Sequence, residues 1–355
     1  MNKEKFESYG YTEFYKEQIE ALDIDEIEFF PARVIAVHRE RYKIVTEFGE
    51  NNAILKSSIF YNDENNVYPT VGDFVVVMRN TYGDDIIYKV LERKSKFSRM
   101  DTWNEKEQIV AANFDYVFIV TSLNHDFNIK KMERYLASAW QSGGSPVIVL
   151  TKADLCENYS IYKDELESAA IGVPIVVVSS YTGEGLAELK DYIKPLSTVV
   201  FLGSSGVGKS TLVNAIAGED IMKVNDIRDD DSKGRHTTTH RQLIMLDNGT
   251  MIIDTPGMRE LGLWDVGKGL NTVFKDIEDI ASKCKFSDCS HNTEPKCAVK
   301  EALESGELSH ERWGNYIKLQ KEARFAEKKE KINIMLKEKS KLKEISKFQK
   351  TLRKQ

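Results

Sequence analysis

The sequence STVVFLGSSGVGKSTLVNAI, residues 197–216, joins an apolar strand to a helix through a loop rich in glycine and serine. The loop contains a complete G-x-x-x-x-G-K-S pattern, whose glycines let successive backbone N–H groups face phosphate oxygens, and the helix adds the positive end of its dipole. A plain turn is the alternative, which the strand and helix on either side disfavour. The pattern predicts a nucleoside triphosphate site in which Lys209 binds the β and γ phosphates and Ser210 binds Mg²⁺. The residues of the predicted site are Gly203, Ser204, Ser205, Gly206, Val207, Gly208, Lys209, Ser210 and Thr211.

Apolar runs alternate with helix-like stretches ahead of this loop. The runs FDYVFIVTSL (114–123), SPVIVL (145–150), VPIVVV (173–178) and STVVFL (197–202) are typical of parallel strands covered on both faces. We expect helices between them near residues 130–141, 162–170 and 184–193. The sequence therefore predicts a doubly wound α/β domain, in which ligands bind at the carboxyl ends of the strands.

Two short segments that follow these strands resemble the guanine-reading motifs of GTPases. The segment TKAD matches N-K-x-D with threonine in place of asparagine, and an aspartate at its end can accept hydrogen bonds from guanine N1 and N2. The segment SSYTG resembles S-A-K, which closes over guanine. Alone, TKAD reads equally well as a helix N-cap followed by a turn. We expect GTP as substrate, its base bound by Thr151, Lys152, Ala153, Asp154, Ser179 and Ser180.

A D-x-x-G motif and a threonine-rich stretch predict the magnesium side of the site. The sequence RQLIMLDNGTMIID (241–254) reads as a hairpin turning at Asn248-Gly249, which places Asp254 at a strand end, where it can act on Mg²⁺ through water. The N–H of Gly257 can contact the γ-phosphate. In the stretch DIRDDDSKGRHTTTHR (226–241), the hydroxyl of Thr237, Thr238 or Thr239 could cap Mg²⁺ when GTP is bound. The alternative is a mobile acidic loop without that role.

The residue after D-x-x-G is Met258, where many GTPases have a water-orienting glutamine. A thioether cannot orient water by a hydrogen bond, so we expect slow intrinsic hydrolysis that a partner accelerates. His236 could assist, or could be a loop residue without a catalytic role.

Five short alternating segments between residues 33 and 90 predict a small β-barrel, and an OB-type barrel is the usual five-stranded solution. A generic barrel without a ligand is the alternative. Because OB barrels hold oligonucleotides on exposed loops and a strand face, basic residues of RVIAVHRERYK are candidate RNA contacts: Arg33, His38, Arg39, Arg41 and Lys43.

A cysteine and histidine cluster follows the α/β domain. Three thiolates and one imidazole suffice for a closed tetrahedral zinc site, which is structural because no position remains for a substrate. Reduced thiols without metal are the alternative. The predicted ligands are Cys284, Cys289, His291 and Cys297.

The charge distribution is uneven. The chain carries a net charge of -6, yet residues 311–355 contain 15 basic and six acidic residues. A solvated charged helix is the default interpretation of this helix-like tail, and a salt-sensitive contact with RNA phosphates is the alternative that an RNA-binding function favours. No apolar run approaches the roughly 18 residues of a membrane span, and the N-terminus lacks a signal peptide, so a cytoplasmic protein without membrane contact is predicted.

The guanine-reading segments precede the phosphate-binding loop, whereas ordinary GTPases have the reverse order, so the domain is predicted to be circularly permuted. The chain resembles the ribosome-small-subunit-dependent GTPase A (RsgA) family of bacteria. Besides the phosphate-binding loop, the segments that carry the resemblance are QIVAANFDYVFIVTSLN (108–124), GRHTTTHR (234–241), IIDTPGMREL (252–261) and CKFSDCSHNTEPKCAV (284–299). The resemblance implies an N-terminal extension (1–30), an OB barrel (31–96), a circularly permuted P-loop GTPase domain (97–268), a zinc-binding α-helical module (269–310) and a basic helical tail (311–355).

The same resemblance implies a function. A monomer would bind the small ribosomal subunit and its 16S rRNA late in assembly, alongside other assembly factors, and GTP hydrolysis stimulated by the subunit would accompany release. Two alternatives remain open: a GTPase for large-subunit assembly, and a nucleotide-gated RNA-binding protein with little hydrolysis.

Overall fold

The computed structural model describes residues 3–22, 24, 28–38, 41–56, 67–100, 107–124, 127–222, 241–254 and 267–352. The chain forms two compact units, residues 1–261 and 262–355. The finer boundaries implied by the sequence stay predictions. Strands of the first unit are β1 (Phe29–His38), β2 (Arg41–Thr46), β3 (Gly49–Leu55), β4 (Phe74–Met78), β5 (Asp85–Val90), β6 (Lys96–Met100), β7 (Glu107–Ala112), β8 (Tyr116–Ser122), β9 (Ser145–Thr151), β10 (Ile175–Val177), β11 (Thr198–Leu202), β12 (Arg241–Met245) and β13 (Met251–Asp254).

Helices of the first unit are α1 (Lys3–Glu7), α2 (Glu13–Glu20), α3 (Ile129–Ser142), α4 (Ser160–Ala169), α5 (Leu186–Leu189) and α6 (Lys209–Ala217). Those of the second are α7 (Gly267–Val273), α8 (Lys275–Ala281), α9 (Ala298–Ser305) and α10 (His310–Leu352). Among the described residues, no helix has both the length and the apolar character needed to cross a membrane.

Strands β1 to β5 close into a barrel, as predicted. Strand β1 pairs with both β2 and β4, while β3 and β5 run parallel to each other, so the ladder β1-β2-β3-β5-β4 returns to its first strand. Closure removes the free edges that an open five-stranded sheet would present. Alternate residues of β1, such as Phe30, Ala32 and Val34, fill the interior. This strand order confirms the OB-type barrel.

The predicted α/β domain is also confirmed. Its strands follow the order β10-β9-β8-β11-β13-β12, parallel from β10 to β13, with β12 antiparallel to β13. Helix α3 begins at an asparagine N-cap, since the Asn128 side chain accepts the N–H of Lys131, and it ends before Gly143, which has φ 86°. The helix predicted near 184–193 is shorter than expected, Leu186–Leu189.

The barrel and the α/β domain share one sheet of eleven strands. The end of β1 pairs with the start of β12, with Ala36 opposite Gln242 and Val37 opposite Arg241. Strand β12 is also bonded to β13 within the predicted hairpin, whose turn contains Asn248 and Gly249. The barrel is therefore built directly onto the strands that lead to the nucleotide motifs.

Arg33 lies in the joint between these two parts and not on an RNA-facing surface, so the expectation that it contacts RNA is wrong. Its side chain is 1% exposed and stacks on Phe74. Burial lowers its pKa to about 10, which leaves the guanidinium charged at neutral pH. Its N–H groups donate to acceptors from the α1–α2 turn, the barrel and the α/β sheet: the carbonyl oxygens of Tyr9, Gly72 and Asn113, Thr198 Oγ1 and Met251 Sδ.

The second unit consists of α7 to α10, with the cysteine and histidine loop between α8 and α9. Gly306, at φ 80°, ends α9 before α10 begins, and α10 contains the described part of the helix-like tail predicted from residue 311. The Arg312 guanidinium binds both carboxylate oxygens of Asp276, at 2.7 and 2.8 Å, and so holds α10 against α8. The Tyr316 hydroxyl donates to Glu278, also on α8, at 2.7 Å.

Candidate nucleotide site and metal cluster

The phosphate-binding loop connects the central strand β11 to α6, as its sequence predicts. Gly203 has φ 150°, and a Cβ at this position would lie 2.2 Å from the carbonyl oxygen of Val120. Only glycine fits between these strands, since a Cβ that close would force the backbone to shift. The loop then ends at Gly208, whose carbonyl accepts the N–H of Leu212 in the first turn of α6. These contacts fix both ends of the loop.

Lys209 is the first residue of α6 and lies back across the loop. Its Nζ donates to the carbonyl oxygen of Gly203 at 2.7 Å and to that of Ser204. Ser210 and Thr211 follow it in the first turn of α6. The ammonium group is thus held directly over the curled backbone, where phosphate oxygens bind in such loops.

The TKAD segment is bonded to the phosphate-binding loop. Thr151, at the end of β9, is 2% exposed, and its hydroxyl donates to the carbonyl oxygen of Val207 at 2.6 Å. The next residue, Lys152, adopts a left-handed conformation with φ 63°, and its Nζ donates to Gly206 O at 2.9 Å. The replacement of asparagine by threonine therefore preserves a direct bond between the two motifs.

Asp154 lies on a short 3₁₀ turn, Ala153–Leu155, that follows β9. The backbone N–H of Ala153 bonds Val178 O at 3.2 Å, which holds the turn against the segment after β10. From that segment, the fully buried hydroxyl of Ser179 donates to Asp154 Oδ1 at 2.6 Å and accepts the N–H of Thr182 at 3.1 Å. Ser180 is next to it and half-buried. Three segments far apart in sequence, 151–154, 179–180 and 203–211, therefore meet.

Asp254 ends β13, which runs parallel to β11 with Ile253 opposite Val200. The backbones of Asp254 and Gly203 consequently leave the sheet at the same edge. The orientation of the Asp254 side chain is outside the described residues. Other residues singled out from the sequence also lie outside the described residues: Arg39, His236, Thr237, Thr238, Thr239, Gly257 and Met258.

Sequence reasoning missed one positioning residue. The amide of Asn214 in α6 bonds both the N–H and the carbonyl oxygen of Met222 at 2.8 Å, and it bonds Asp220 at 3.2 Å. Asn214 thus fixes the chain as it leaves α6 for the threonine-rich stretch. No sequence signal distinguishes this asparagine from an ordinary helical one, because its partners lie beyond the end of the helix.

The four predicted metal ligands meet in the second unit. Their ligand atoms all lie within 4.8 Å of one another. Cys284 Sγ is 3.6 Å from His291 Nδ1 and 3.9 Å from Cys297 Sγ, and His291 Nδ1 is 3.4 Å from Cys297 Sγ. Tetrahedral zinc with ordinary bond lengths holds such atoms about 3.5 to 3.8 Å apart. The donor set and its spacing fit zinc.

Residues around the cluster hold the loop in shape. The Glu294 carboxylate accepts hydrogen bonds from the Ser290 hydroxyl at 2.6 Å and from three backbone N–H groups, those of Ser290, Asn292 and Thr293. These bonds enclose His291, which has a left-handed φ of 61°. The Trp313 ring on α10 lies perpendicular to the imidazole, with centroids 5.6 Å apart. The loop is thus braced on two sides of its histidine.

Comparison with known proteins agrees with this architecture. A family model described as RsgA GTPase matches residues 90–264. A model described as ABC transporter matches residues 186–352, a stretch that contains the phosphate-binding loop common to many nucleotide-binding proteins. That second match does not cover the guanine-reading segment 151–154.

Curated relatives match almost the whole chain. The protein named small ribosomal subunit biogenesis GTPase RsgA 1 of Listeria monocytogenes serovar 1/2a is 48% identical over 345 residues, 97% of each chain. The protein named small ribosomal subunit biogenesis GTPase RsgA 2 of Lactiplantibacillus plantarum is 45% identical over 82% of this chain and 83% of its own.

Solved structures share the fold. The crystal structure of YjeQ from Thermotoga maritima has a TM-score of 0.62 and 31% identity, covering 83% of this chain and 98% of its own. The structure of YloQ, titled a circularly permuted GTPase, has a TM-score of 0.60 and 27% identity over 83% and 95%. With the order of motifs along this sheet, these similarities establish that the chain belongs to the RsgA family of circularly permuted GTPases.

Proposed function

We propose that this GTPase binds the small ribosomal subunit, contacts its 16S rRNA and assists the late maturation of that subunit in the cytoplasm, as a monomer working alongside other assembly factors. Hydrolysis is slow in the free protein, faster on the subunit and coupled to release. The names of relatives that match nearly the full chain support this proposal. The barrel ahead of the GTPase domain and the cysteine cluster after it support the same assignment over a large-subunit role.

The hydrogen bonds between the guanine-reading segment and the phosphate-binding loop are the main support for GTP as the bound nucleotide. Thr151 and Lys152 bond to carbonyl oxygens of the loop, and Asp154 is two residues further along the chain. A base on Asp154 and phosphates on Lys209 can therefore belong to one nucleotide. A carboxylate held by Ser179 favours guanine, because it would face an unmatched edge of adenine.

Each residue of the predicted nucleotide site has a separate role in binding GTP or in its hydrolysis. Residues 203–211 bind the phosphates, and Lys209 exchanges its bonds to loop carbonyls for bonds to β and γ oxygens. Ser210, Thr238 and Asp254 would hold Mg²⁺, directly or through water, and the N–H of Gly257 would bind the γ-phosphate. When bound, Mg²⁺ neutralises charge on the phosphates that develops during transfer. His236 assists in positioning the attacking water, a task for which Met258 has no suitable group.

Zinc bound by Cys284, Cys289, His291 and Cys297 would be structural, since four protein ligands complete its coordination. It would contribute folding free energy to a loop that otherwise has little apolar surface to bury. The geometric fit of the four ligand atoms supports this role.

The test is GTP turnover by the purified full chain, alone and with purified small or large ribosomal subunits. We expect stimulation of at least tenfold by small subunits and none by large ones. Stimulation by large subunits alone would replace this proposal with a large-subunit role. Nucleotide-dependent binding to small subunits without any stimulation would identify a nucleotide-gated binding protein.

A further inference from the structure

The side-chain amide of Asn214, in the second turn of α6, is buried and hydrogen-bonded through both of its polar atoms. Its Oδ1 accepts the backbone N–H of Met222 at 2.8 Å, and its Nδ2 donates to the carbonyl oxygen of Met222 at 2.8 Å and to Asp220 Oδ1 at 3.2 Å. All the donors of the amide are thus directed at one short segment beyond the helix. Asn214 is 9% exposed, so water is a poor substitute for these partners.

These bonds fold the chain back onto α6. The helix ends at Gly218, which has φ 75° and whose N–H bonds the carbonyl oxygen of Asn214 at 2.8 Å. Ile221 and Met222 then pack against the apolar core cluster that contains Leu212 of the same helix. The exit from α6 is therefore a packed turn, and the Asn214 side chain sets its position.

Asn214 lies one helical turn after Ser210, the residue proposed to bind Mg²⁺. Residues four apart share a helix face, and about 6 Å separates them along the helix axis. The backbone of Met222 is therefore tied to the face of α6 that begins with Ser210. Met222 is also the last described residue before the threonine-rich stretch, which contains the three candidates for the Mg²⁺ cap at 237–239.

The other end of the threonine-rich stretch is held in a different way. The stretch ends at Arg241, which is the first residue of β12. The next residue, Gln242, pairs with Asp254 at the end of β13 and, on its other side, with β1 of the barrel. Asp254 is also proposed to act on Mg²⁺, so the chain enters and leaves the stretch beside the magnesium side of the site. The sheet holds the end of the stretch, and Asn214 holds its approach at Met222.

A residue in this place acts on only one part of the nucleotide site. The guanine-reading segment and the phosphate-binding loop are joined by their own bonds, from Thr151 and Lys152 to loop carbonyls. GDP uses those two parts, whereas the γ-phosphate and its Mg²⁺ also use a switch segment such as the threonine-rich stretch. Loss of the Asn214 bonds should therefore weaken the triphosphate state more than the diphosphate state.

We propose that Asn214 is a positioning residue for GTP hydrolysis. By holding Met222 against α6, it fixes where the threonine-rich stretch begins and so stabilises the GTP-bound state over the GDP-bound state. This inference rests on the proposed function in assigning the Mg²⁺ cap to that stretch. A residue that merely supported α6 would act on both states, because the same helix carries Lys209, which contacts the β-phosphate of either nucleotide.

The test measures the affinity of the full chain for GDP and for guanosine 5′-[β,γ-imido]triphosphate, both with Mg²⁺, by calorimetric titration. Single-turnover GTP hydrolysis without ribosomal subunits is measured beside it. We expect Asn214→Ala to weaken binding of the triphosphate analogue about tenfold and to slow hydrolysis by about as much, while GDP affinity changes less than about twofold.

Two further variants make the result interpretable. Asn214→Asp keeps the size of the side chain and an acceptor for the Met222 N–H but loses the donors, so we expect the same selective loss, and it replaces Asn214→Ala if circular dichroism melting shows that the latter fails to fold. The matched control is Asn248→Ala. The Asn248 amide also bonds backbone through both polar atoms, but it lies in the β12–β13 turn, at the edge of the sheet opposite to Asp254, and its loss should leave the ratio of the two affinities unchanged.

An equal loss of affinity for both nucleotides in the Asn214 variants would overturn the proposal, because it would show that the residue only supports α6. Unchanged affinities and turnover would overturn it as well. If small subunits fail to stimulate the wild-type chain while the Asn214 variants still lose the triphosphate analogue selectively, the positioning role stands and only the proposed ribosomal function is contradicted.

Discussion

The hydroxyl of Thr151 lies 2.6 Å from the carbonyl oxygen of Val207, and this bond joins the guanine-reading segment to the phosphate-binding loop. Both residues are buried, so the carbonyl has no ready access to water as a substitute partner. Threonine is shorter than the asparagine of the N-K-x-D pattern and has a single donor. That donor is directed at the loop, which leaves recognition of the base to Asp154.

Removing this hydroxyl is expected to weaken nucleotide binding. Thr151→Val preserves shape but leaves Val207 O without its donor, which costs about 1 to 3 kcal/mol, or roughly five- to 150-fold in affinity if the loop loosens. Calorimetric titration with GDP and a non-hydrolysable GTP analogue measures the loss. Thr151→Ser retains the hydroxyl and is the control. Equal affinities for Thr151→Val and wild type would mean that the bond does not support the loop.

Asp154→Asn is expected to reverse base preference. An amide offers a donor where guanine N1 and N2 also donate, whereas xanthine presents an acceptor at position 2, so XTP should compete better than GTP. Ser179→Ala should cause a smaller loss of GTP affinity with no reversal, because it frees the carboxylate without changing its charge. Competition among GTP, XTP and ATP checks both variants. Unaltered GTP preference in Asp154→Asn would remove this residue from base recognition.

Lys209→Ala should abolish turnover stimulated by small subunits. The variant lacks the ammonium group that neutralises the β and γ phosphates, a loss expected to reduce turnover at least 100-fold, or about 3 kcal/mol. Single-turnover hydrolysis of GTP on purified subunits separates this effect from slow release. Lys190→Ala, an exposed lysine on the same unit, is the control. Normal turnover in Lys209→Ala would show that the phosphates bind elsewhere.

Cys289→Ser is expected to lose one equivalent of zinc per chain. Three ligands hold the ion less tightly than four, and the loop 284–297 should then become sensitive to protease. Metal analysis by mass spectrometry after dialysis measures the zinc, and Cys156→Ser controls for loss of an unrelated thiol. A full equivalent of zinc in Cys289→Ser would exclude this cysteine as a ligand.

Arg33→Met should destabilise the first unit. The substitution leaves several carbonyl oxygens, including those of Tyr9 and Asn113, without their donor inside the joint, and the free energy of unfolding should fall by about 2 to 4 kcal/mol. Urea unfolding monitored by circular dichroism measures the change. Arg41→Ala, on the exposed side of the barrel, should cost less than about 1 kcal/mol. A similar small effect for Arg33→Met would show that the joint tolerates loss of the charge.

The local patterns of the sequence predict the nucleotide loop, the strands and the barrel, because each follows from periodicity or from a steric need such as the one at Gly203. The burial of Arg33 could not be predicted in this way. An arginine within RVIAVHRERYK reads as a surface cation, and only the tertiary fold brings acceptors from the α1–α2 turn, the barrel and the α/β sheet around it. The same holds for Asn214, whose role depends on where Met222 lies after α6 ends.

The metal cluster was predictable because four ligand-type side chains lie within 14 residues, and short loops bring such neighbours together. The pairing of Arg41 and Lys43 with acids was not predictable, since Glu50 is on β3 and Asp84 directly precedes β5, and a single sequence does not show which strands adjoin. Cross-strand register is a property of the whole barrel, so charge neutralisation of this kind stays hidden from local patterns.

The pairing of Ala36 and Val37 with the first residues of β12 has a practical consequence for dissecting this chain. Separating the barrel from the GTPase domain would remove the pairing of β1 with Arg241 and Gln242 and leave backbone donors and acceptors at the start of β12 unsatisfied, which favours aggregation. The barrel would also be destabilised, because the buried Arg33 would lose its acceptors in the α/β domain. Fragments separated at residue 96 should thus be far less soluble than the intact protein, and experiments that crystallise the protein or map its contacts should keep residues 1–261 together.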